Sequence, residues 1–554
     1  MSKRVSAPRA PAPRAARAPS GPAAAVRTPA WAWLALVAVA VLVAVARVRL
    51  LDVPLERDEG EYAYAGQLIL RGIPPYQLVY NMKLPGAYAV YALFLALFGQ
   101  TARGVHLGLL LVTLASITLL FLVARRLFGA RAGVVAAATY GLLSMSGAVF
   151  GLAAHSSHLV VLCALAGLHR LLAALDSGRR RDWFWSGLCF GLAFLMKQHG
   201  LAFVLFGIFA LAALARAPRR ARNGAVFLAG AALPFLATCL ILAATGVFAS
   251  FWFWTFQYAA AYVSQLTPAQ GLQNLRVIGL ERVVAAAPLL WSLAAAGLVV
   301  LLADRSLRAQ RGPVGGFTAF AFLATCPGLY FREHYFIMLL PAVALLAGVA
   351  IDALARALSK GGFRRGATVV SGALFLALFL ASLFPEAKLL FFIPPRLVPH
   401  AIYSANPFPE AREIARYIAA RSSPTDRIAV LGSEPEICFY ARRLSATGHI
   451  YMYGLMEHQP YAATMQRQAI REIERSAPQW LVFVNATTSW NMRPDSEPGL
   501  FEWYPRYLDQ HYRPAGLVQV LTPETTTYEW SDTVKVTDAR APTFVMVYRR
   551  KPPA

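Results

Sequence analysis

The chain has 554 residues, of which 57% are hydrophobic and only 15% are charged. This composition excludes an ordinary soluble protein and indicates many membrane-spanning helices. The net charge of +25 does not indicate nucleic-acid binding, because the arginines form short clusters between apolar segments. That distribution is typical of the positive-inside rule in membrane proteins. The five cysteines have no CxxC or metal-ligand spacing, so a disulfide framework is not expected.

The N-terminal segment, residues 1–30, is rich in proline, alanine and arginine and contains no acidic residue. This composition predicts a disordered basic tail on the cytoplasmic side. The first apolar segment, from Trp31 to about Leu50, is long enough to span the membrane. An Ala-Val-Ala tripeptide at residues 44–46 resembles a signal-peptidase site. The long basic tail and the full-length apolar segment favour a retained anchor instead.

The first outer loop, residues 51–104, concentrates charge between two apolar segments. It contains four acids close together, several tyrosines, and one lysine before a Pro-Gly pair: Glu56, Asp58, Glu59, Glu61 and Lys83. A solvated loop with interfacial tyrosines is the simplest interpretation, and a functional site is the alternative. The apolar part of the loop, residues 84–99, is short for a span. It is therefore predicted to be a helix at the outer interface.

Ten further spans are predicted, near residues 105–124, 131–150, 155–175, 183–197, 200–215, 223–246, 284–303, 316–330, 335–355 and 366–384. Every second loop between them is rich in arginine and is therefore predicted to be cytoplasmic. The total is eleven spans, with the N-terminus inside and the C-terminus outside. The outer segment 247–285 begins with FWFWTFQYAAAYV, which is expected to anchor at the headgroup boundary or to clamp a lipid chain.

The composition changes after residue 384. Residues 31–384 are predicted to form the membrane domain, and residues 385–554 a smaller α/β domain outside the membrane. Buried strands are predicted at residues 426–432, 479–485 and 543–548, and an amphipathic helix at residues 464–476. This outer domain contains no Gly-rich phosphate loop, no HExxH and no GxSxG.

Several polar side chains lie at the outer ends of predicted spans, on the same side as the acidic loop. They are His155, His158, Lys197, Gln198, His199, Arg332, Glu333, His334 and Tyr335. Each alone fits a structural role, because turns need polar residues. Their shared side indicates one site at the outer interface. His155 and His158 have helical i, i+3 spacing and could bind a metal with the loop acids, but a structural role is equally compatible. His169, beside Arg170, lies near the cytoplasmic end and is expected to be structural.

The motifs resemble those of GT-C glycosyltransferases. The run DEGEYAYAGQLILRGIPPYQLVYNMKLPG is similar to the first outer loop of that class, and GLAFLMKQHGL and FREHYFIMLLPAVALLAG match later parts. The nearest groups are the dolichyl-phosphate-mannose protein mannosyltransferases, the lipid A aminoarabinose transferases and their bacterial relatives. The resemblance covers nearly the whole chain from residue 31. It implies an all-α polytopic membrane protein of GT-C type, with interfacial helices and a C-terminal α/β extracytoplasmic domain.

The resemblance also implies roles for individual residues. Asp58 corresponds to the catalytic carboxylate and Glu59 to its support, whereas Lys83, Arg332 and Lys197 correspond to ligands of the donor phosphate. The candidates for the substrate pocket are Tyr62, His155, His158, Gln198, His334 and Tyr335. The chain departs from the family at Met82, where the aminoarabinose transferases have Glu. It also has His155 and His158 in a span that often carries an acid.

The implied activity is sugar transfer from a polyprenyl-phosphate donor to a lipid, glycan or protein acceptor on the outer face, with inversion. It implies a hexosyl- or pentosyltransferase in the inner membrane, in contact with membrane lipids and with no nucleic-acid partner. No cofactor is expected, and a divalent metal is possible but not supported by the sequence. A lipid or sugar transporter or flippase is the alternative, although no inverted repeat is recognisable. An inactive scaffold is a third interpretation, which the presence of Asp58, Glu59 and Lys83 disfavours.

The topology can be tested with reporter fusions. Alkaline phosphatase should be inactive when it is fused after Ser177 or Ala309, and active when it is fused after Ala420, because only the last site is predicted to lie outside. A cytoplasmic reporter at the same positions serves as the control and should give the reverse pattern. Phosphatase activity at Ser177 would contradict the predicted topology.

Overall fold

The computed structural model describes residues 28–215, 219–362 and 366–552. Most of the predicted N-terminal tail, residues 1–27, lies outside the described residues. The first half of the membrane part contains helices α1 (Ala30–Arg49), α2 (Arg57–Leu70), α3 (Pro85–Phe98), α4 (Ala102–Phe128), α5 (Ala130–Leu143), α6 (Ser156–Ser177), α7 (Arg180–Met196), α8 (Leu201–Leu214) and α9 (Arg220–Ala244). The second half contains α10 (Phe248–Trp252), α11 (Ala259–Val263), α12 (Pro268–Asn274), α13 (Pro288–Ala303), α14 (Arg308–Gln310), α15 (Gly316–Leu323), α16 (Leu340–Lys360) and α17 (Ala367–Ala387).

Several of these helices can span a membrane. Within the described residues, six are long and apolar enough, namely α1, α4, α6, α9, α16 and α17 with its continuation to Phe392. A seventh span results if residues 268–303, which bend by 109°, are counted as one crossing. The other predicted spans coincide with shorter helices: α5 and α8 have 14 residues each and α7 has 17. Predicted span 316–330 is broken, because α15 ends at Leu323 and a 3₁₀ turn follows.

The first outer loop folds into a helical hairpin. Glu56 and Glu59 form a capping box that begins α2, and Pro85 occupies the first turn of α3. The two helices pack closely at Gly66, where a Cβ atom would lie 2.8 Å from the backbone nitrogen of Ala92. This contact requires glycine. The 14-residue helix α3 is too short to cross the membrane upright.

The outer domain contains one mixed six-stranded sheet. Its helices are α18 (Val398–Tyr403), α19 (Phe408–Ala419), α20 (Glu436–Ala441), α21 (Tyr453–Met456), α22 (Ala462–Ser476), α23 (Thr487–Trp490) and α24 (Gly499–His511). Its strands are β1 (Arg427–Leu431), β2 (Leu444–Ser445), β3 (Trp480–Asn485), β4 (Tyr512–Thr522), β5 (Thr525–Glu529) and β6 (Thr543–Arg550). The strand order is β2-β1-β3-β6-β4-β5. Strand β1 is parallel to β2 and β3, whereas β6 is antiparallel to β3 and β4.

The outer domain is joined to the first loop by buried polar contacts. The Arg57 guanidinium, at the start of α2, donates to the Ser433 carbonyl at 2.7 Å and forms an ion pair with Glu434 at 3.0 Å. The Tyr440 hydroxyl accepts a hydrogen bond from the Leu55 backbone at 2.8 Å. Buried donors and acceptors must be paired, so these bonds fix the outer domain over the loop.

The aromatic segment after α9 differs from the predicted membrane belt. Trp254 and Tyr258 are buried, and Trp254 stacks on Tyr80 of the first loop with 5.4 Å between ring centroids. The Tyr258 hydroxyl donates to Glu457 of the outer domain at 3.0 Å. The prediction that this segment anchors at the headgroup boundary was therefore wrong for the face that carries Trp254 and Tyr258, because their rings fill the junction between the two domains. Trp252, on the opposite face, is exposed.

The Arg57–Glu434 pair can be tested against an exposed pair in the same loop. Arg57→Ala leaves the Glu434 carboxylate buried without its partner, so we expect a loss of about 3–5 kcal/mol of stability. Arg103→Ala breaks a pair with Asp52 whose two side chains are 58% and 57% exposed, and it should change the stability far less than Arg57→Ala does, because water screens this pair. Thermal unfolding of both variants in detergent compares them. Equal losses would contradict the structural role of Arg57.

Candidate active site

A cavity of about 320 Å³ lies between the outer ends of the membrane helices and the outer domain. The first loop, the starts of α6 and α8, the aromatic segment, the turn before α16 and the outer domain all contribute to its walls. Nine of the predicted site residues line it: Asp58, Tyr62, Lys83, His155, Lys197, Gln198, Arg332, His334 and Tyr335. The structure thus gathers residues that are distant in sequence into one cavity.

The central feature of the cavity is a lysine held between two carboxylates. The Lys83 Nζ atom donates to Asp58 Oδ1 and to Glu61 Oε2, both at 2.7 Å. Glu61 is fully buried and also accepts hydrogen bonds from Asn81 at 2.8 Å and from Tyr88 at 2.6 Å. An ammonium group has three donors, so one donor of Lys83 remains for another ligand.

Asp58 has the environment of an ionised carboxylate. Burial alone would raise its pKa, but the charge of Lys83 and the contacts with His155 and His334 hold the pKa of Asp58 well below its ordinary value. The same carboxylate accepts a hydrogen bond from the Tyr451 hydroxyl at 3.2 Å. Asp58 is therefore negatively charged at neutral pH. It can orient a hydroxyl group and accept a proton from it.

Two further cations lie in the cavity without a carboxylate partner among the described residues. The Lys197 ammonium lies over the Tyr335 ring, 4.2 Å from its centroid, and 3.4 Å from the Ser157 hydroxyl. Burial, together with the charges of Lys83 and Arg332, lowers the pKa of Lys197 to about 7, although Asp58 opposes this shift. The Arg332 guanidinium lies 3.5 Å from the Tyr262 hydroxyl and over the Tyr330 ring. These two groups are available for an anion.

Two candidate residues lie outside the cavity. Glu59 accepts a hydrogen bond from the Ala154 backbone at 2.6 Å and contacts His106 at 3.1 Å, so it fixes α2 against the membrane helices. His158 is fully buried, and neither of its ring nitrogens has a partner among the described residues. The prediction that the two histidines share a helix face was wrong, because His155 precedes α6 as its N-cap residue.

His155, His334 and Asp58 form a cluster that could hold a cation. The two imidazole rings stack with 4.4 Å between centroids, and one ligand atom from each of the three residues lies within 4.8 Å of the others. Two imidazoles and one carboxylate suit a divalent transition metal, and the ring nitrogens of His155 have no hydrogen-bond partner among the described residues. Lys83 already forms ion pairs with this carboxylate and with Glu61. The expectation of a metal-independent site remains a prediction.

The outer domain contributes a residue that sequence reasoning missed. Tyr451 donates to Asp58, and its ring lies 5.1 Å from the Lys83 Nζ atom. It belongs to the run HIYMYG at residues 449–454, which lines the cavity from the outer domain. The dense aromatic composition of this run was the available signal. The search for catalytic motifs in this domain could not find Tyr451, because it belongs to none of them.

Comparison with known proteins identifies the class of fold. Residues 83–243 match the family model described as dolichyl-phosphate-mannose-protein mannosyltransferase. No curated protein sequence matches the chain significantly. The structure is similar to that of ArnT from Cupriavidus metallidurans bound to undecaprenyl phosphate, with 19% identity, a TM-score of 0.53, and coverage of 94% of this chain and 98% of that chain.

A second similar structure is the archaeal oligosaccharyltransferase AglB from Archaeoglobus fulgidus, in complex with an inhibitory peptide and a dolichol-phosphate. It has 12% identity and a TM-score of 0.51, and the match covers 92% of this chain and 75% of that chain. The chain is thus a multi-pass membrane protein with the GT-C fold. Together, the family match and the fold support a membrane glycosyltransferase that uses a polyprenyl-phosphate-linked donor. They do not favour the transporter alternative.

Proposed function

We propose that the cavity transfers a sugar from a polyprenyl-phosphate donor to an acceptor on the outer face of the cytoplasmic membrane. The observation that carries this proposal is the arrangement of ionisable groups: an ionised Asp58 paired with Lys83, beside the basic side chains of Lys197 and Arg332. A carboxylate that accepts a proton and cations that stabilise a leaving phosphate are the two groups that such a transfer needs.

The reaction is a single displacement at the anomeric carbon. The acceptor oxygen forms a bond to that carbon while the bond to the phosphate oxygen breaks, and the electron pair leaves with the phosphate. The proton of the acceptor goes to Asp58. The negative charge that grows on the lipid phosphate is stabilised by Arg332, by Lys197 and by the remaining donor of Lys83. Inversion at the anomeric carbon follows for a single displacement, in line with the family resemblance.

The sugar is a hexose or a pentose, and the acceptor is a lipid, a glycan or a protein. The structure of AglB holds a peptide and that of ArnT holds undecaprenyl phosphate, which supports these classes of acceptor and donor for the present cavity. The predicted sidedness favours an outer-face reaction, because the arginine-rich loops lie at the opposite ends of the helices from the cavity.

Replacement of Asp58 tests the role of the proton acceptor. Asp58→Asn keeps the size of the side chain and removes the base, so transfer should fall by about 10²–10⁴-fold. In cells that lack the protein, the unused lipid-phosphate sugar should accumulate and can be identified by mass spectrometry. The wild-type chain should remove this accumulated donor on complementation, and Asp58→Asn should not.

The matched control is Asp52→Asn, because Asp52 is an exposed acid of the same loop and lies outside the cavity. It should remove the accumulated donor as the wild-type chain does. Expression level and thermal stability are compared for all three proteins. Removal of the donor at the normal rate by a well-folded Asp58→Asn protein would end the catalytic assignment.

Lys197 provides a separate test of phosphate binding. Because the pKa of Lys197 is about 7, the empty cavity should hold it mostly neutral at pH 8. Binding of a phosphate dianion favours the charged lysine, so the protein should take up close to one proton for each ligand bound. Below about pH 6 Lys197 is already protonated and should take up no proton, whereas farnesyl phosphate, whose second pKa is about 6, should release a proton when it binds as the dianion.

Calorimetry with farnesyl phosphate in two buffers of different ionisation enthalpy measures this uptake. Lys197→Arg is the control, because arginine stays charged at pH 8 and should bind the ligand without taking up the proton. Lys197→Met should weaken binding. Equal proton uptake by the wild type and Lys197→Arg would show that another group titrates.

A further inference from the structure

A second cavity, of about 600 Å³, lies between α4, α6 and α7 near their cytoplasmic ends. It shares no lining residue with the cavity of the candidate active site, which lies at the opposite ends of α6 and α7. One part of its wall is apolar and the other is basic: Leu119, Ala166, Trp185 and Cys189 accompany His169, Arg170, Arg181 and Asp182. We call this second cavity the cytoplasmic cleft. A site with adjoining apolar and cationic walls is chemically complementary to an amphiphile with an anionic head.

Arg170 is the residue that most requires a partner. It lies seven residues before the end of α6, about 10 Å along the helix axis from the cytoplasmic end. Its side chain is 51% exposed, and its ion pair with Asp182 is long, at 3.8 Å. A charged side chain at this depth within a membrane-spanning helix is costly unless it has a counter-ion. The positive-inside rule alone accounts for arginines in loops, not for this position.

The counter-ion is only partly supplied by the protein. Asp182 also accepts a hydrogen bond from the Ser177 hydroxyl at 3.0 Å. Arg181 is exposed, and its side chain makes no ion pair or hydrogen bond within the described part of the chain. The buried His169 Nδ1 atom likewise has no hydrogen-bond partner among the described residues. The cleft therefore presents more cationic and donor groups than its single carboxylate satisfies.

The apolar wall fits the remainder of such a ligand. Trp185 is 49% exposed and lies five residues into α7, about 7 Å along the helix from its start. Indole rings at this depth favour the boundary between headgroups and acyl chains. Leu119 of α4 lines the same cleft and extends the apolar surface towards the membrane interior.

We propose that the cytoplasmic cleft binds an anionic glycerophospholipid of the inner leaflet. Its phosphate contacts Arg170 and Arg181, and one acyl chain packs along Trp185 and Leu119. Basic pockets between transmembrane helices on the cytoplasmic side are known to recognise lipid headgroups in this way. This proposal is independent of the proposed transferase activity, because it concerns different residues at the opposite ends of the helices.

The test compares two pairs of arginines of equal charge. Arg170→Gln with Arg181→Gln removes the cationic wall of the cleft. Arg305→Gln with Arg308→Gln removes two exposed arginines near α14, outside the cleft. Binding of phosphatidylglycerol and of phosphatidylcholine to the full-length protein in detergent is measured by native mass spectrometry. The single variant Arg181→Gln is included in case the first double variant does not fold.

We expect the wild type to bind phosphatidylglycerol more tightly than phosphatidylcholine. The cleft double variant should bind phosphatidylglycerol about 25-fold more weakly, Arg181→Gln about five-fold more weakly, and the Arg305/Arg308 variant close to normally. An equal loss in both double variants would reduce the effect to bulk electrostatics and overturn the proposal. Equal binding of phosphatidylglycerol and phosphatidylcholine by the wild type would also overturn the proposal. Displacement of the lipid by inorganic phosphate at a similar concentration would overturn it too, because it would indicate a site for free anions.

Discussion

The arrangement of the catalytic cavity depends on the ion pairs of Lys83 with Asp58 and Glu61. An ammonium that is largely removed from water between two carboxylates, of which Glu61 is fully buried, is stable only when each charge is paired and the remaining lone pairs are hydrogen-bonded. Asn81 and Tyr88 donate hydrogen bonds to Glu61, and Tyr451 and His155 contact Asp58. The hairpin of α2 and α3, the start of α6 and the outer domain must therefore all be in place before the charges are satisfied. The cavity is a consequence of that assembly, since these elements meet around the charged groups.

The membrane part follows closely from hydropathy, and the departures have physical causes. Long apolar runs such as α4 and α9 were predictable, because their length matches the bilayer. The predicted strands at β1, β3 and β6 are confirmed, because each is a continuous apolar run in the buried middle of the sheet. Strand β5 was missed since it is an edge strand with a mostly exposed, threonine-rich sequence. Strand β2 is only two residues long and gives no periodic signal.

The side of the membrane on which the site lies was predictable from the sequence, but the pairs that its charged residues form were not. Charged residues at the outer ends of spans had to lie near one interface, and the cavity does contain Lys197, Arg332 and His334. The pairing of Glu61 with Lys83 was not predictable, because the loop offers five acids and no periodicity in the sequence distinguishes them. Tyr451 lies 393 positions from Asp58, so only the folded outer domain brings them together. His158 shows the opposite error: its spacing from His155 is helical, yet the helix begins only after His155.

The same electrostatics explains how three cations share a cavity that lies partly out of water. Lys83 is neutralised by its carboxylates, and Arg332 stays charged at any physiological pH. Burial is the main cost of a third fixed positive charge here, and repulsion from Arg332 and Lys83 adds to it. Lys197 avoids this cost because its pKa of about 7 allows it to lose its proton while the cavity is empty. A phosphate bound in the cavity would raise the pKa of Lys197 again, since the anion favours the charged lysine. In the proposed transfer, the ligand itself would thus restore the positive charge that stabilises the leaving phosphate.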